Sequence, residues 1–200
     1  MIILRFWLEQ LFNCAFKEAE FDNIIFNPKM INLLFDNDKT ILKQFHIQKA
    51  IMLISINKLE DFLNFGLNHF TIYKAFITSF KKRDLLSAQH INILFNFIIN
   101  EGNKFPIVRL GFNFTKLYDR IIEYITTSKE FSKIPIINLF CEPNKNFKLP
   151  EAAENVEIKQ INGLQYTKYQ ISNIYNTKVK FSFISRERTK SFCVGIKINK

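Results

Sequence analysis

The sequence has little glycine and little cysteine, and each scarcity excludes a class of site. Five glycines occur in 200 residues, and they form neither a GxGxxG fingerprint nor a phosphate-binding loop. The chain has three cysteines, Cys14, Cys141 and Cys193, and no CxxC spacing. An odd number of widely spaced cysteines favours reduced thiols over a disulfide framework. HExxH is absent, and the three histidines lie far apart. We therefore predict a protein that is not an enzyme, with no catalytic residue, no cofactor and no bound metal.

The chain also lacks a long uninterrupted apolar run. Arg5 and Glu9 break the apolar N-terminal stretch, and no small-residue cleavage site follows it, so the stretch is not typical of a signal peptide. No other segment has the length and apolarity of a membrane span. These features predict a cytoplasmic protein.

Aromatic and basic residues are abundant instead. The chain holds 23 Phe and six Tyr, its hydrophobic content is 48%, and its net charge is +10. Residues 1–100 contain 11 Lys or Arg against nine Asp or Glu, whereas residues 101–200 contain 17 against nine. There is enough apolar material for a core, and the basic excess belongs to the second half.

The stretch from Leu59 to Arg83 has the apolar spacing of a long helix. Asn57 is the expected N-cap, and three basic residues stand at the C-terminal end, where the helix dipole favours them. We predict that this is the central helix of the fold. His69 is expected to be structural, with its ring bonded to the backbone or to a neighbouring side chain. The predicted apolar stripe comprises Leu59, Phe62, Leu63, Phe70, Tyr73, Phe76, Ile77 and Phe80.

The remaining segments are predicted from periodicity and turn residues. Helices are expected at 2–20, from Asp38 to about Ile54, from Asp84 to Gly102, and at 115–127. Extended structure is expected at 107–112 and 156–161. Residues 162–175 are ambiguous, with helix slightly preferred. A β-hairpin is expected between about Lys178 and Lys197.

Together these segments predict an α+β fold. It has a mainly helical body over about residues 2–130, and a smaller mixed or β C-terminal portion that ends in the hairpin. The predicted domains are accordingly 1–130, helical, and 131–200, mixed α/β and packed on the first. The alternative is that the two portions form one continuous domain.

The predicted central helix resembles a helix of the TssG family, the baseplate wedge proteins of type VI secretion systems. The resemblance rests on Leu59-x-Asp61-Phe62-Leu63, then Asn68-His69, then Tyr73-x-Ala75-Phe76 and the basic end Lys81-Lys82-Arg83. Phe70 stands where the family pattern has arginine. The 117–140 and 161–184 segments, and the N-terminal RFWLEQLF, are similar to further parts of the family.

This resemblance implies a non-catalytic structural subunit of a contractile injection system. Its partners would be TssF-like, TssK-like and TssE-like baseplate proteins in a hetero-oligomer. The residue types agree, because aromatic side chains dominate protein interfaces. The candidate partner-binding residues are Phe62, Phe65, Asn68, His69, Tyr73, Phe76, Phe80, Lys178, Lys180, Arg186, Arg188 and Lys190.

The alternative hypothesis is a basic nucleic-acid-binding protein. From residue 156 onward, nine Lys or Arg face only two acids, Glu157 and Glu187. Three tyrosines lie among the basic residues, as stacking groups would. A basic surface can equally complement an acidic protein. The residues of this hypothesis are Lys159, Lys168, Lys178, Lys180, Arg186, Arg188, Lys190, Lys197 and Lys200, with Tyr166, Tyr169 and Tyr175.

Overall fold

A computed structural model describes the chain in seven stretches, and the described chain packs into two compact units. The N-terminal unit comprises Met1–Leu85 and Lys104–Pro106, and the C-terminal unit comprises Leu86–Asn103 and Ile107–Lys200. The described residues are 2–35, 43–80, 86–111, 115–130, 134–141, 149–188 and 191–199.

The N-terminal unit alternates helices with parallel strands. Strand β2 lies between β1 and β3 and is parallel to both, and each connection between neighbouring strands carries a helix, as parallel pairing requires. In order, the elements are α1 (Ile2–Phe12), β1 (Ala15–Asp22), α2 (Pro28–Phe35), β2 (Phe45–Ile54), a 3₁₀ turn (Ile56–Lys58), α3 (Leu59–His69) and β3 (Phe70–Phe80).

Phenylalanine rings fill the core of this unit. The ring of Phe45 lies 4.8 Å from that of Phe12 and 6.1 Å from that of Phe70, both edge-on. Phe76 stacks on Phe105 at 4.8 Å. A Cβ atom at Gly66 would stand 3.1 Å from the Phe76 ring, so the missing side chain lets that ring pack directly on α3.

The C-terminal unit combines two parallel strands with an antiparallel meander. Its strands run in the order β4-β5-β9-β8-β7-β6; β4 and β5 are parallel, and the other neighbours are antiparallel. In chain order the elements are α4 (Ala88–Asn96), a π turn (Phe97–Glu101), a 3₁₀ turn (Gly102–Lys104), β4 (Ile107–Gly111), α5 (Thr115–Thr127), β5 (Ile136–Cys141), β6 (Glu154–Ile161), β7 (Leu164–Ser172), β8 (Lys180–Arg188) and β9 (Ser191–Asn199).

One face of the strands in this unit is a buried aromatic and aliphatic layer against α5. Tyr169 stacks on Phe183 at 4.8 Å, and the hydroxyl of Tyr118 on α5 hydrogen-bonds to that of Tyr169. Burial raises the pKa of Tyr169 to about 12, against a smaller lowering by the Tyr118 bond. Asn173, fully buried, donates to the carbonyl oxygens of Ile125 and Ser128, which fixes the end of α5 to the end of β7.

The prediction of a mainly helical body is wrong. Four strands, β1 to β4, lie within residues 2–130, and the described chain as a whole carries nine strands and five α-helices. The physical reason is that strands in parallel sheets are apolar on both faces. Where most positions are Phe, Ile or Leu, that apolarity mimics the broad apolar arc of a buried helix.

The predicted central helix is the largest correction. It ends at His69, and the chain becomes extended at Phe70, with φ −112° and ψ 133°. From there FTIYKAFITSF, rich in β-branched and aromatic residues that favour strands, forms β3. Asn57 is not the N-cap, because it lies inside the preceding 3₁₀ turn. Residues 81–83 lie outside the described part.

Other segments divide between error and confirmation. The helix expected at 2–20 ends at Phe12, with β1 after it, the 38–54 helix is replaced by β2 from Phe45, and 162–175 is mostly strand. The helix predicted from Asp84 begins later, at Ala88, with its N-cap and capping box at Ser87, and it continues as the π turn to Glu101. Asp84 itself lies outside the described residues. The 115–127 helix, the extended segments around 107–111 and 156–161, and the C-terminal hairpin are confirmed.

Truncating Phe76 to Ala tests this packing. The side chain is 0% exposed, and emptying a buried aromatic site costs about 3–5 kcal/mol of unfolding free energy. Urea unfolding should show that loss. Tyr73→Ala is the matched control on the same strand, since its side chain is 56% exposed, and it should cost about 1 kcal/mol or less. Equal losses for the two variants would contradict the described face of β3.

Candidate binding surfaces

Most aromatic residues predicted to bind a partner lie in the core of the N-terminal unit. Phe62, Phe65, Phe76 and Phe80 are buried, and each is therefore a packing residue within this chain. Asn68 and Tyr73 are exposed. The hydroxyl of Tyr73 lies 2.9 Å from Nδ1 of His46 on the adjacent strand. A role in partner binding stays a prediction for the whole set.

His69 has the structural environment predicted for it. Its ring is 7% exposed and packs 5.0 Å from the Phe65 ring. Nδ1 lies 3.2 Å from the backbone carbonyl oxygen of Lys43. Since a carbonyl only accepts, Nδ1 carries the proton and donates it. The bond ties the C-terminal end of α3 to the residues just before β2.

The C-terminal sheet collects basic residues on the face opposite its buried layer. Residues directly opposite each other on neighbouring strands share a face. One cross-strand row joins Arg109, Asn138, Gly195, Ile184 and Lys168, and the next joins Cys193, Arg186, Tyr166 and Lys159. Lys197 and Lys180 continue the same face through their pairs with Ser182 and Asn199. We call this surface the cationic face: Arg109, Lys159, Lys168, Lys180, Arg186 and Lys197, with Tyr166.

Within the described stretches, two of these six cations are paired with carboxylates. Lys159 lies 3.4 Å from Glu157, and Lys180 lies 3.7 Å from Glu154. Among the described residues, the four others, Arg109, Lys168, Arg186 and Lys197, form no ion pair. The face therefore carries a net positive charge that a partner of opposite charge can complement.

Two arginines act on the half-buried Cys193 at the centre of this face. Burial raises the pKa of the Cys193 thiol, and the positive charges of Arg186 and Arg109 oppose that rise. Arg186 stands directly opposite Cys193 in the β8–β9 ladder. Nε of Arg109 is buried and has no hydrogen-bond partner among the described residues. Arg109 is not among the binding residues predicted from the sequence. The available signal was its position between Val108 and Leu110, two apolar residues that point to the opposite face of the strand.

The three tyrosines of the nucleic-acid hypothesis occupy different environments. Tyr166 is partly exposed on the cationic face, directly opposite Arg186 and Lys159. Tyr169 is 0% exposed, so it cannot stack on a base. Tyr175 is 60% exposed, and the Lys129 ammonium lies 5.2 Å from its ring.

The predicted hairpin residues are only partly brought together. Lys180 and Arg186 lie on the cationic face. Lys178 is exposed in the turn before β8. Arg188 ends β8 opposite Ser191, whereas Lys190 and Lys200 lie outside the described residues.

A second surface is the outward side of α1. Leu8 and Phe12 anchor this helix and are 1% and 2% exposed, whereas Phe6 and Trp7 are 55% and 60% exposed. The Phe6 and Trp7 rings pack edge-on at 5.9 Å. We call this the α1 apolar surface: Ile2, Ile3, Leu4, Phe6 and Trp7.

The C-terminal unit also has a cavity of about 400 Å³. Asp119, Glu123 and Glu151 line it, and burial raises the pKa of Asp119. Within the described stretches, no three His, Cys, Asp or Glu side chains are grouped as a metal site requires. None of the described helices is long and apolar enough to span a bilayer.

Comparison with known proteins gives one match. Residues 1–81 match a family model described as a domain of unknown function, DUF8381. The match covers α1 to β3 and thus the strand-and-helix part of the N-terminal unit. No curated protein and no solved structure matches the chain.

Proposed function

We propose that this chain is a non-catalytic subunit that binds other proteins within a multiprotein assembly. The observation that carries the proposal is the α1 apolar surface. Five large apolar side chains are exposed along one short helix, and two of them are aromatic. Contiguous apolar patches of this kind mark interaction sites on soluble proteins.

The composition of this surface favours a protein partner. Trp and Phe give large contact areas, and Trp is among the residues that carry most binding energy at interfaces. The helix is held by Leu8 and Phe12 and by the guanidinium of Arg5, which lies 5.5 Å from the Phe35 ring centroid. Phe6 and Trp7 are therefore presented on an anchored helix, which lowers the ordering cost of binding.

The sequence resemblance alone supports a finer assignment. In that assignment the chain is a TssG-type baseplate wedge protein with TssF-like, TssK-like and TssE-like partners. That resemblance rests mainly on Leu59–Arg83. The family segment is helical, whereas Phe70–Phe80 is a strand here. The identity of captured partners decides the assignment: baseplate subunits would support it, and a partner set without them would remove it.

Removing the aromatic pair tests the assembly proposal. The variant Phe6→Ser with Trp7→Ser should leave the fold intact, because both side chains are more than half exposed. Recovery of specific partners from native-host extracts, measured by quantitative mass spectrometry, should fall about tenfold or more.

Leu33→Ser is the matched control, because Leu33 is 71% exposed on α2 and lies outside the α1 apolar surface. It should retain the wild-type partner set. If the double variant retained the same partners at wild-type levels, the proposal would be wrong.

The cationic face favours one second candidate function, binding of single-stranded nucleic acid. This face has four cations that form no ion pair with any described residue. It also has Tyr166, which lies between Arg186 and Lys159. Cationic grooves with aromatic platforms bind single strands through phosphate contacts and base stacking. An acidic protein could bind the same cations, but it would not need the Tyr166 ring. The presence of that ring therefore favours nucleic acid.

Salt dependence separates these partners. Binding to a single-stranded RNA should weaken steeply with salt, and removing one cation that binds a phosphate should reduce the slope of log K against log salt by about 0.7. Arg186→Glu with Lys197→Glu should therefore flatten the slope, whereas Lys74→Glu, which reverses an exposed lysine on β3 of the N-terminal unit, should not. Absence of RNA binding at low salt would eliminate this second candidate.

A further inference from the structure

Strand β6 is an edge strand of the C-terminal unit, and none of the described strands pairs with its free edge. Within the described part of the chain, its strand neighbour is β7. All eight residues, Glu154–Ile161, are exposed, including Ile158 at 61%. An exposed edge strand presents unpaired backbone groups that can pair with another strand.

The turn between β6 and β7 determines which backbone groups face outward. Asn162 and Gly163 have φ of 52° and 73° and form a two-residue loop of type I′. In such a hairpin the two residues that flank the loop form a hydrogen-bonded pair. Here those residues are Ile161 and Leu164. Because hydrogen-bonded pairs alternate along an antiparallel ladder, Glu157, Lys159 and Ile161 direct their backbone groups to β7. Ile158 and Gln160 direct theirs to the free edge.

The charge pattern of β6 is complementary to itself in one register. If a second β6 approaches antiparallel with Ile158 opposite Ile158, Glu157 of each copy faces Lys159 of the other. A shift of the two-fold axis to Glu157 would place Glu157 opposite Glu157, and a shift to Lys159 would place Lys159 opposite Lys159. Like charges directly opposite are destabilising, so the charges select the register centred on Ile158.

We propose that two copies of this chain pair through β6, antiparallel about a two-fold axis at Ile158, so that the C-terminal sheet continues from one copy into the other. In this register the outward N–H of Ile158 in each copy donates to the Ile158 carbonyl of the other. The two Ile158 side chains lie on the same face and cover each other. The bulge at Glu154/Glu157, with Asn155 at φ 51°, marks the far end of the flat segment.

This dimer leaves the α1 apolar surface free and uses only Lys159 of the cationic face, so it goes beyond the proposed function. Within one copy, Lys159 also lies 3.4 Å from Glu157. This pair does not compete strongly with the pairs between copies, because both side chains are exposed and exposed ion pairs are weak. The charges set the register, and the backbone bonds and Ile158 supply the contact.

Charge reversal on β6 provides the test, with sedimentation equilibrium over a protein concentration series as the measurement. The wild-type chain should show a monomer–dimer equilibrium. Lys159→Glu creates two Glu–Glu pairs across the interface, and Glu157→Lys creates two Lys–Lys pairs. Each should raise the dimer dissociation constant about tenfold. The double reversal, Glu157→Lys with Lys159→Glu, restores both attractive pairs and should restore the wild-type constant.

Mixing the two single variants gives a sharper result. The Lys159→Glu variant carries glutamate at both charged positions of the register, and the Glu157→Lys variant carries lysine at both. Every cross-strand charge pair between the two variants is therefore attractive, so the mixture should form a heterodimer although neither variant pairs well with itself.

The control is Lys178→Glu, which makes the same charge change in a turn and should leave dimerisation unchanged. A wild-type chain that stays monomeric, or single reversals that dimerise as well as wild type, would overturn the proposal. Partner capture through α1 should be unaffected by the β6 variants, which separates this test from that of the assembly proposal.

Discussion

The parallel hydrogen-bond ladder between β2 and β3 is the constraint on which the N-terminal unit depends. It matches Ala50 with Phe76 and Ile54 with Phe80, and with β1 on its other side β2 has a neighbour along both edges. A buried strand must satisfy its backbone groups in this way. Once the ladder is set, the pleat decides which phenylalanines enter the core and which side chains remain outside.

Strand alternation likewise determines which side chains the C-terminal unit exposes. Tyr169, Ile171, Phe181 and Phe183 turn to the buried layer, so the alternate positions along β7 and β8 turn outward. Those alternate positions include the basic residues Lys168, Lys180 and Arg186. The cationic face therefore follows from strand alternation combined with the basic composition of this half, and it required no dedicated loop or pocket. Both proposed binding surfaces lie on regular secondary structure, which fixes their side chains more firmly than loops would.

Prediction from the sequence succeeded where periodicity and flanking turn residues agreed. Thr115–Thr127 has a clear polar face, and in the hairpin Phe181 and Phe183 alternate with the polar Lys180 and Ser182. Both were therefore recognisable. Phe70–Phe80 was misread as helix because its apolar residues fit a helical spacing almost as well as a strand spacing. In addition, the pairing of β2 with β3 shifts register between Ile47 and Lys49, which interrupts the regular pairing of the two strands. The β-branched Thr71, Ile72, Ile77 and Thr78 were the available signal.

The candidate surfaces divide similarly. Lys180 and Arg186 were identified from the sequence because they alternate with buried residues in a recognisable hairpin. Arg109 was missed, because its place beside Cys193 depends on β5 pairing with β9, which joins segments more than 50 residues apart in the chain. The buried aromatics of α3 and β3 were assigned to a partner because the sequence does not show which apolar faces the chain covers itself.

The pairing of Phe70–Phe80 with β2 determines which side chains of the N-terminal unit face inward and which face outward. Backbone NMR assignment is the decisive measurement for this pairing. If Phe70–Phe80 is a strand, its Cα chemical shifts lie below random-coil values throughout, and cross-strand nuclear Overhauser effects join the backbones near Ala50 and Phe76. Cα shifts above random coil, with sequential amide–amide effects running unbroken from Leu59 past His69 to Phe80, would show a continuous helix and contradict it.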